Sequence, residues 1–330
     1  MDRRTGPTAD EPAPDAGPKS SAALMYAAAS LYYLQDATQA EIARRLRTSR
    51  PTVSRLLSEA RRRGIVRIEV VAPADADEQD LADRAARALD LRAVHVSPAI
   101  HPPLGGTLLA PGLSTALDLA GIVPGDVLLV SSGRTVYEVA QGDLPRLPGV
   151  LLAPTIGGQD EPEGWYQPNE ITRQLAAKVG GAPSFIFAPA MPSASLFASL
   201  MDDADTRRVF QMWRLARCAV LGVGGPPHTR QSLPRFISDT SSLRAAVGDV
   251  CSRFYDSEGH AVAFPGSDRL IALGLADLRR IPIRIAVAYG EIKVPGLLAG
   301  ARAGYYNQLV TDVPTAAALL SAAESGRAAS

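Results

Sequence analysis

The stretch TQAEIARRLRTSRPTVSRLLSEARRRG, residues 38–64, carries two helix starts and a helix stop. Thr38 with Glu41 three residues on reads as a capping box, in which each side chain satisfies a backbone N–H that the helix leaves open. The helix that follows turns Ile42, Ala43 and Leu46 inward. Residues 47–49, RTS, form a turn that ends in a second N-cap, Ser49. Pro51 then falls in the first turn, where its missing N–H costs little. Val53, Leu56, Leu57 and Ala60 recur at helical spacing, and Gly64 ends the second helix. With the apolar helix AALMYAAASLYYLQ (22–35) before it, the pattern is a helix-turn-helix.

The charge of this segment says what it would hold. Residues 38–67 contain nine arginines against Glu41 and Glu59, so about +7 is concentrated here and about −7 is spread over the rest of a chain of zero net charge. Such a split points to a polyanion. The N-terminal residues of the third helix meet base edges in the major groove in this motif. Arg50, Thr52 and Arg55 are placed for them, while Arg44, Arg45, Ser49 and Ser54 are placed for phosphates. Arg61, Arg62 and Arg63 add further phosphate candidates. The plain alternative is a solvated helix face, which usually carries balancing acids that this one lacks.

Working outward, residues 1–21 are rich in Pro, Gly, Ala and Asp and read as a disordered tail without a signal-peptide core. Residues 22–73 form the helix-turn-helix domain, closed by IVRIEVVAP (65–73) as a strand that would make a wing. Residues 74–90 read as a connecting amphipathic helix. From 91 to 330, apolar runs alternate with helical stretches: AVHVS (93–97), DVLLVSS (126–132), VLLAPT (150–155), SFIFAPA (184–190), CAVLGVGG (218–225) and IRIAVAYG (283–290). This is the pattern of an α/β domain with a mostly parallel sheet and helices on both faces.

Composition excludes several classes. Cys218 and Cys251 are the whole cysteine complement, without CxxC spacing, and the four histidines are scattered, so a disulfide scaffold and a zinc site are not expected. No apolar run approaches the roughly 18–20 residues of a membrane span. The expectation is a cytoplasmic protein without cofactor.

Together, LYYLQDATQAEIARRLRTSRPTVSRLLSEARRRGIVRIEV, GDVLLVSSGRTVYEVA (125–140), LAAKVGGAP (175–183), AVLGVGG (219–225), AVGDVCSRFYDSEG (246–259) and AYGEIKVPGLLAGARAGYYNQLVTD (288–312) resemble, in order and spacing, the SorC family of sugar-binding bacterial transcriptional regulators, grouped with DeoR-type proteins. The resemblance implies an effector domain folded like sugar-phosphate isomerases and deaminases. It also implies a sugar or sugar phosphate as effector, double-stranded operator DNA as partner, and a homodimer or homotetramer.

The residues themselves point to a pocket. VSSGRT (130–135) follows a strand and opens a helix, so Ser132, Gly133 and Thr135 are placed to hold a phosphate, with Arg134 adding charge; a simple turn is the alternative. Gly224, in GVGG, permits close backbone approach. Arg230 resembles a basic ligand position of the family, with a surface arginine in a mobile loop as the alternative. Lys293 is one of three lysines in an Arg-rich chain, and it matches the family's strand–Gly–x–x–Lys pattern, a helix-start residue on the surface being the alternative. Asp249 is either a hydroxyl ligand or a cap. Gln159 and Asn169, in the Gly- and Pro-rich loop 157–170, are hydroxyl-ligand candidates, and Trp165 and Tyr166 are either stacking surfaces or core anchors. A regulator rather than an enzyme is expected, because no acid–base pair at fixed spacing is present. A sugar-phosphate-converting enzyme of isomerase- or deaminase-like fold is the alternative.

Overall fold

The structure, a computed structural model, describes residues 18–66, 76–100, 105–230, 233–237 and 241–328. The chain divides into two compact units, before and after the Pro73–Ala74 bond.

The described residues of the smaller unit form three helices: α1 (Pro18–Tyr33), α2 (Gln39–Arg45) and α3 (Arg50–Arg62). Both caps form. The Glu41 N–H donates to Thr38 Oγ1 at 3.3 Å and the Thr38 N–H to Glu41 Oε2 at 2.8 Å. Ser49 Oγ accepts the Thr52 N–H at 3.3 Å. Met25, Ala28, Ile42, Ala43, Val53, Leu57 and Ala60 are buried together, with Leu46 and Leu56 packed half-buried at the edge. Gly64, at φ +70°, is left-handed just past α3, and the Ile65 N–H returns to the Ala60 carbonyl at 2.9 Å. The first helix begins at Pro18, inside the expected tail, since a proline in the first turn gives up no hydrogen bond. The wing strand falls largely on residues 67–73, outside the described residues.

The larger unit opens with α4 (Ala76–Leu89). Read as a connector, this helix instead buries Ala82, Ala85 and Leu89 in the core of the unit and packs against β1 (Ala93–Ser97) and the last helix. Beyond β1 come α5 (Ala110–Asp118), β2 (Val127–Val130), α6 (Arg134–Val139), β3 (Leu151–Pro154), α7 (Pro168–Val179), β4 (Ala182–Pro183), α8 (Ala194–Asp202), α9 (Ala204–Leu215) and β5 (Ala216–Gly224). They are followed by β6 (Gly248–Val250), β7 (Arg253–Tyr255), β8 (Ala261–Val262), α10 (Leu275–Leu278), β9 (Ile283–Val287), α11 (Val294–Arg302), β10 (Gln308–Asp312) and α12 (Val313–Ala328).

The strands run parallel in the order β1-β10-β9-β5-β2-β3-β4. Strand alternation divides their side chains between two cores. Leu129, Ala219, Leu221, Ala286 and Leu309 face one, and Leu128, Val130, Val220, Ile285 and Val310 the other. Both faces are covered, which is why these strands read as unbroken apolar runs. The last residues of β5 leave the parallel sheet and pair antiparallel with β6, starting the meander β6–β7–β8.

SFIFAPA departs from expectation. Only β4, just before it, pairs as a strand; Pro189 makes an isolated bridge to Gly158. The side chain of Asn169 takes the place of a neighbouring strand, accepting the Ile186 N–H at 3.0 Å and donating to the Ile186 carbonyl at 2.9 Å. Phe187 is left 85% exposed. Conversely, β10 was not among the clear strand runs although it pairs on both sides, with β1 and β9, and is wholly buried.

Candidate functional site

The smaller unit presents a cationic face because its cores consume only apolar side chains. Arg44, Arg45, Ser49, Arg50, Ser54 and Arg55 are exposed and Thr52 is half-buried. Not all of them are equally free. Ser49 and Thr52 share a 2.8 Å hydroxyl contact within the cap, so their hydroxyls are first of all local structure. Arg45 reaches Gln35 at 3.5 Å, and Arg44 and Arg45 both help hold the Glu41 carboxyl below its usual range, behind the larger effect of the Thr38 cap. Arg62 and Arg63 pair with Glu59. Such exposed pairs are worth about 0–1 kcal/mol and give way readily to a phosphate. Among the described residues, Arg50 and Arg55 have no ion-pair partner. Arg50 borders an open hollow shared with Tyr32, Asp36, Thr38 and Gln39.

In the larger unit a cavity of about 420 Å³ opens at the carboxyl ends of β2, β5 and β9. Ligands gather at strand carboxyl ends in open parallel sheets, and small-molecule sites run to about 300–1,000 Å³. It is lined by Ser132, Gly133, Arg134, Thr135, Gln159, Gly224, Arg230, Asp249 and Lys293. Nine of the ten residues singled out from the sequence therefore meet in one place. The tenth, Asn169, does not line it. Its amide is spent on the Ile186 backbone, where it clamps the chain after β4.

Each side of the cavity has a local cause. After β2 the chain turns through Gly133, at φ +127°, a conformation closed to other residues, into α6, whose N-terminus has no side-chain cap. After β5, Gly224 leaves no room for a methyl group: a Cβ there would overlap Arg230 Nη2 and Asp249 Oδ1 and come within 2.7 Å of Arg230 Cζ. Arg230 is thereby fixed, donating from Nε to the Gly225 carbonyl at 3.0 Å and from Nη2 to Gly225 and to Asp249 Oδ1. After β9, a turn of 3₁₀ helix delivers Lys293, with Nζ 3.5 Å from Thr135 Oγ1 and 5.7 Å from the centre of the Tyr289 ring. Burial, then repulsion from Arg230, pulls its amine down to about 8, against the opposing pull of Asp249 and Glu138.

Arg134, Arg230 and Lys293 share the wall with Asp249, the only carboxylate among the described lining residues. The Arg134 guanidinium lies 4.6 Å from the centre of the Trp165 ring, whose carbonyl accepts the Gly133 N–H at 2.9 Å. Loop 157–170 is thus tied to the start of α6. Gln159 is buried and donates to Ser132 Oγ at 3.2 Å, yet its Oε1 has no partner among the described residues. A buried amide atom left unpaired costs about 1–3 kcal/mol, which a bound hydroxyl would recover. The arrangement suits a ligand with an anionic end and a hydroxyl-bearing body. Sequence reasoning missed Thr229, Ser252, Tyr289 and Ile292 in the wall. Tyr289 and Ile292 flank Lys293 closely enough in sequence to have been suspected, whereas nothing local marked Thr229.

Comparison with known proteins agrees with both units. A MarR-family model matches residues 25–76, and the model of a sugar-binding domain matches residues 76–321. The chain is 31% identical over 313 residues to the sorbitol operon regulator of Klebsiella pneumoniae, covering 90% of this chain and 97% of that protein. It is also 31% identical over 310 residues to the deoxyribonucleoside regulator of Bacillus subtilis, with the same coverage. The crystal structure of full-length SorC from K. pneumoniae superposes with a TM-score of 0.74 at 29% identity, covering 90% of this chain and 98% of that one. A helix-turn-helix followed by this α/β domain, matched along nine-tenths of its length, places the chain in the SorC family of sugar-binding transcriptional regulators.

Proposed function

We propose that the chain regulates a carbohydrate-metabolism operon, binding its operator through α3 and a sugar or sugar phosphate in the cavity of the larger unit. Arg50, Thr52 and Arg55 read base edges; Arg44, Arg45, Ser49 and Ser54 hold phosphates and set the register. Lys293, Arg230, Ser132, Thr135 and the backbone at Gly133 and Gly224 take the anionic end of the effector, with Arg134 beside them. Gln159 and Asp249 take hydroxyls. The effector acts by binding one quaternary arrangement of a homodimer or homotetramer better than another, which changes DNA affinity by that difference. The setting is cytoplasmic, and no described helix is long and apolar enough to cross a membrane.

The observation that carries this reading is the meeting of three cations and a buried amide oxygen without a partner among the described residues in one cavity, in a chain whose other unit bears exposed arginines on a helix-turn-helix. Calorimetric titration with phosphorylated sugars and their free counterparts tests it: at least one binds the wild type, and Arg230→Met loses that binding. A protein that binds none of them overturns the effector assignment. One observation favours a second reading: an amine drawn down to about 8 can condense with an open-chain aldehyde, releasing water, which serves binding or catalysis on a sugar phosphate. Turnover of the same compounds would establish it.

A further inference from the structure

We infer that Ser252 reads a hydroxyl of the effector and is held on a strained turn to do so; the inference rests on the effector reading above. Strands β6 and β7 close through the pair Val250–Arg253, leaving Cys251 and Ser252 as a two-residue hairpin turn. Both have positive φ, +53° and +56°. Hairpin turns with both central residues left-handed favour Asn and Gly, since other side chains crowd the backbone there. Here neither position is Asn or Gly. Strained backbone of this kind persists where its surroundings over-determine it, and it gathers at ligand-holding sites.

The two side chains of the turn have different surroundings. Cys251 also borders the cavity but is buried beside the Thr155 hydroxyl, and burial pushes its thiol up to about 12, which keeps it a neutral thiol. Ser252 is half-buried in the cavity wall. The neighbouring hydroxyls have other work: Ser132 accepts from Gln159 and Thr135 from Lys293, which turns their O–H groups to the anionic end, and Thr229 donates to the Pro226 carbonyl. Among the described residues, the Ser252 hydroxyl has no protein partner. It lies on the strand hairpin that also carries Asp249, the carboxylate that fixes Arg230. A hydroxyl both donates and accepts, which suits a sugar hydroxyl in either sense. Ser252 is therefore a specificity-determining position: it favours an effector that carries a hydroxyl at the end facing this turn over the analogue deoxygenated there.

The test uses the full chain and two variants, Ser252→Gly and Ser252→Ala. Melting curves of the wild type with ribose 5-phosphate, fructose 6-phosphate, sorbitol 6-phosphate and the free sugars select the compound with the largest shift, which is then titrated into all three proteins. Both variants bind it roughly three- to tenfold more weakly, the loss of one neutral hydrogen bond. Without ligand, Ser252→Gly melts above Ser252→Ala, because glycine relieves the left-handed strain. Wild-type affinity in either variant, or a glycine variant that melts below the alanine one, overturns the inference. A wild type that responds to none of the compounds overturns the effector reading itself, a distinguishable failure.

Discussion

Replacing Lys293 by Met, which keeps the apolar stem and removes the ammonium, separates charge from shape in the effector cavity. In the free protein the amine loses its proton at about 8. A sugar phosphate is a dianion above pH 7, because its second ionisation lies near 6. A hydrogen bond from a charged donor contributes about 1.5–3 kcal/mol, or roughly ten- to 150-fold in affinity. Wild-type affinity for a phosphorylated effector therefore holds from pH 7 to about 8. It then falls by up to one decade per pH unit until that factor is spent, since the bound anion retains the proton that the empty site gives up. Lys293→Met sits at the lower level already at pH 7 and stays there. Folding stability of the empty protein moves the opposite way. The folded amine gives up its proton at about 8 and the unfolded one at its ordinary 10.5, so between them the unfolded state binds more protons and stability rises with pH. The whole interval corresponds to at most ~3 kcal/mol, reduced by the partial exposure of the side chain. Calorimetric titration from pH 7 to 9.5, with urea melts of the empty protein over the same range, reads both trends. Wild-type affinity in the variant at pH 7, or a wild-type affinity flat to pH 9.5, would refute the placement of the ammonium on the anion.

Further outcomes follow from single contacts. Arg55→Ala abolishes specific operator binding, and a filter-binding series against salt shows the remaining affinity close to that for random DNA, while effector-induced stabilisation stays intact. Gly224→Ala forces Arg230 and Asp249 apart, so calorimetry finds effector affinity at least tenfold weaker with DNA affinity unchanged. Asn169→Ala unties Ile186 and costs about 1–3 kcal/mol by urea melt, with effector affinity close to wild type. Leu57→Ala hollows the small core of the three-helix unit at about 2–5 kcal/mol, seen as loss of DNA binding at temperatures the larger unit survives.

Local chemistry explains what could be read from the sequence. Thr38, Glu41, Ser49, Pro51 and Gly64 each act on backbone within four residues, and the cap and stop they imply are found in place. The cavity was partly legible because loops after parallel strands share one edge, so Ser132, Gly224 and Lys293 converge once the sheet is assumed. Asn169 misled because its neighbours in sequence line the cavity while its own partner, Ile186, lies 17 residues on and shows only in three dimensions. SFIFAPA carries strand composition, but an asparagine side chain occupies the place of its partner strand. The helix at 76–89 looked like a linker because its polar face dominates the composition; the small stripe Ala82, Ala85 and Leu89 was enough to dock it. Ser252 gave no signal, since a positive φ is not written in a serine.

The coupling of the two units is the central claim, and fluorescence anisotropy tests it most directly. The probe is labelled duplex DNA from upstream of the protein's own coding region, titrated at two salt concentrations with and without a pool of sugar phosphates and free sugars. The account predicts binding well above that of random DNA, weakening steeply with salt, and a midpoint that moves when the pool is added. A midpoint indifferent to every member of the pool, in a protein that binds one of them by calorimetry, would contradict it.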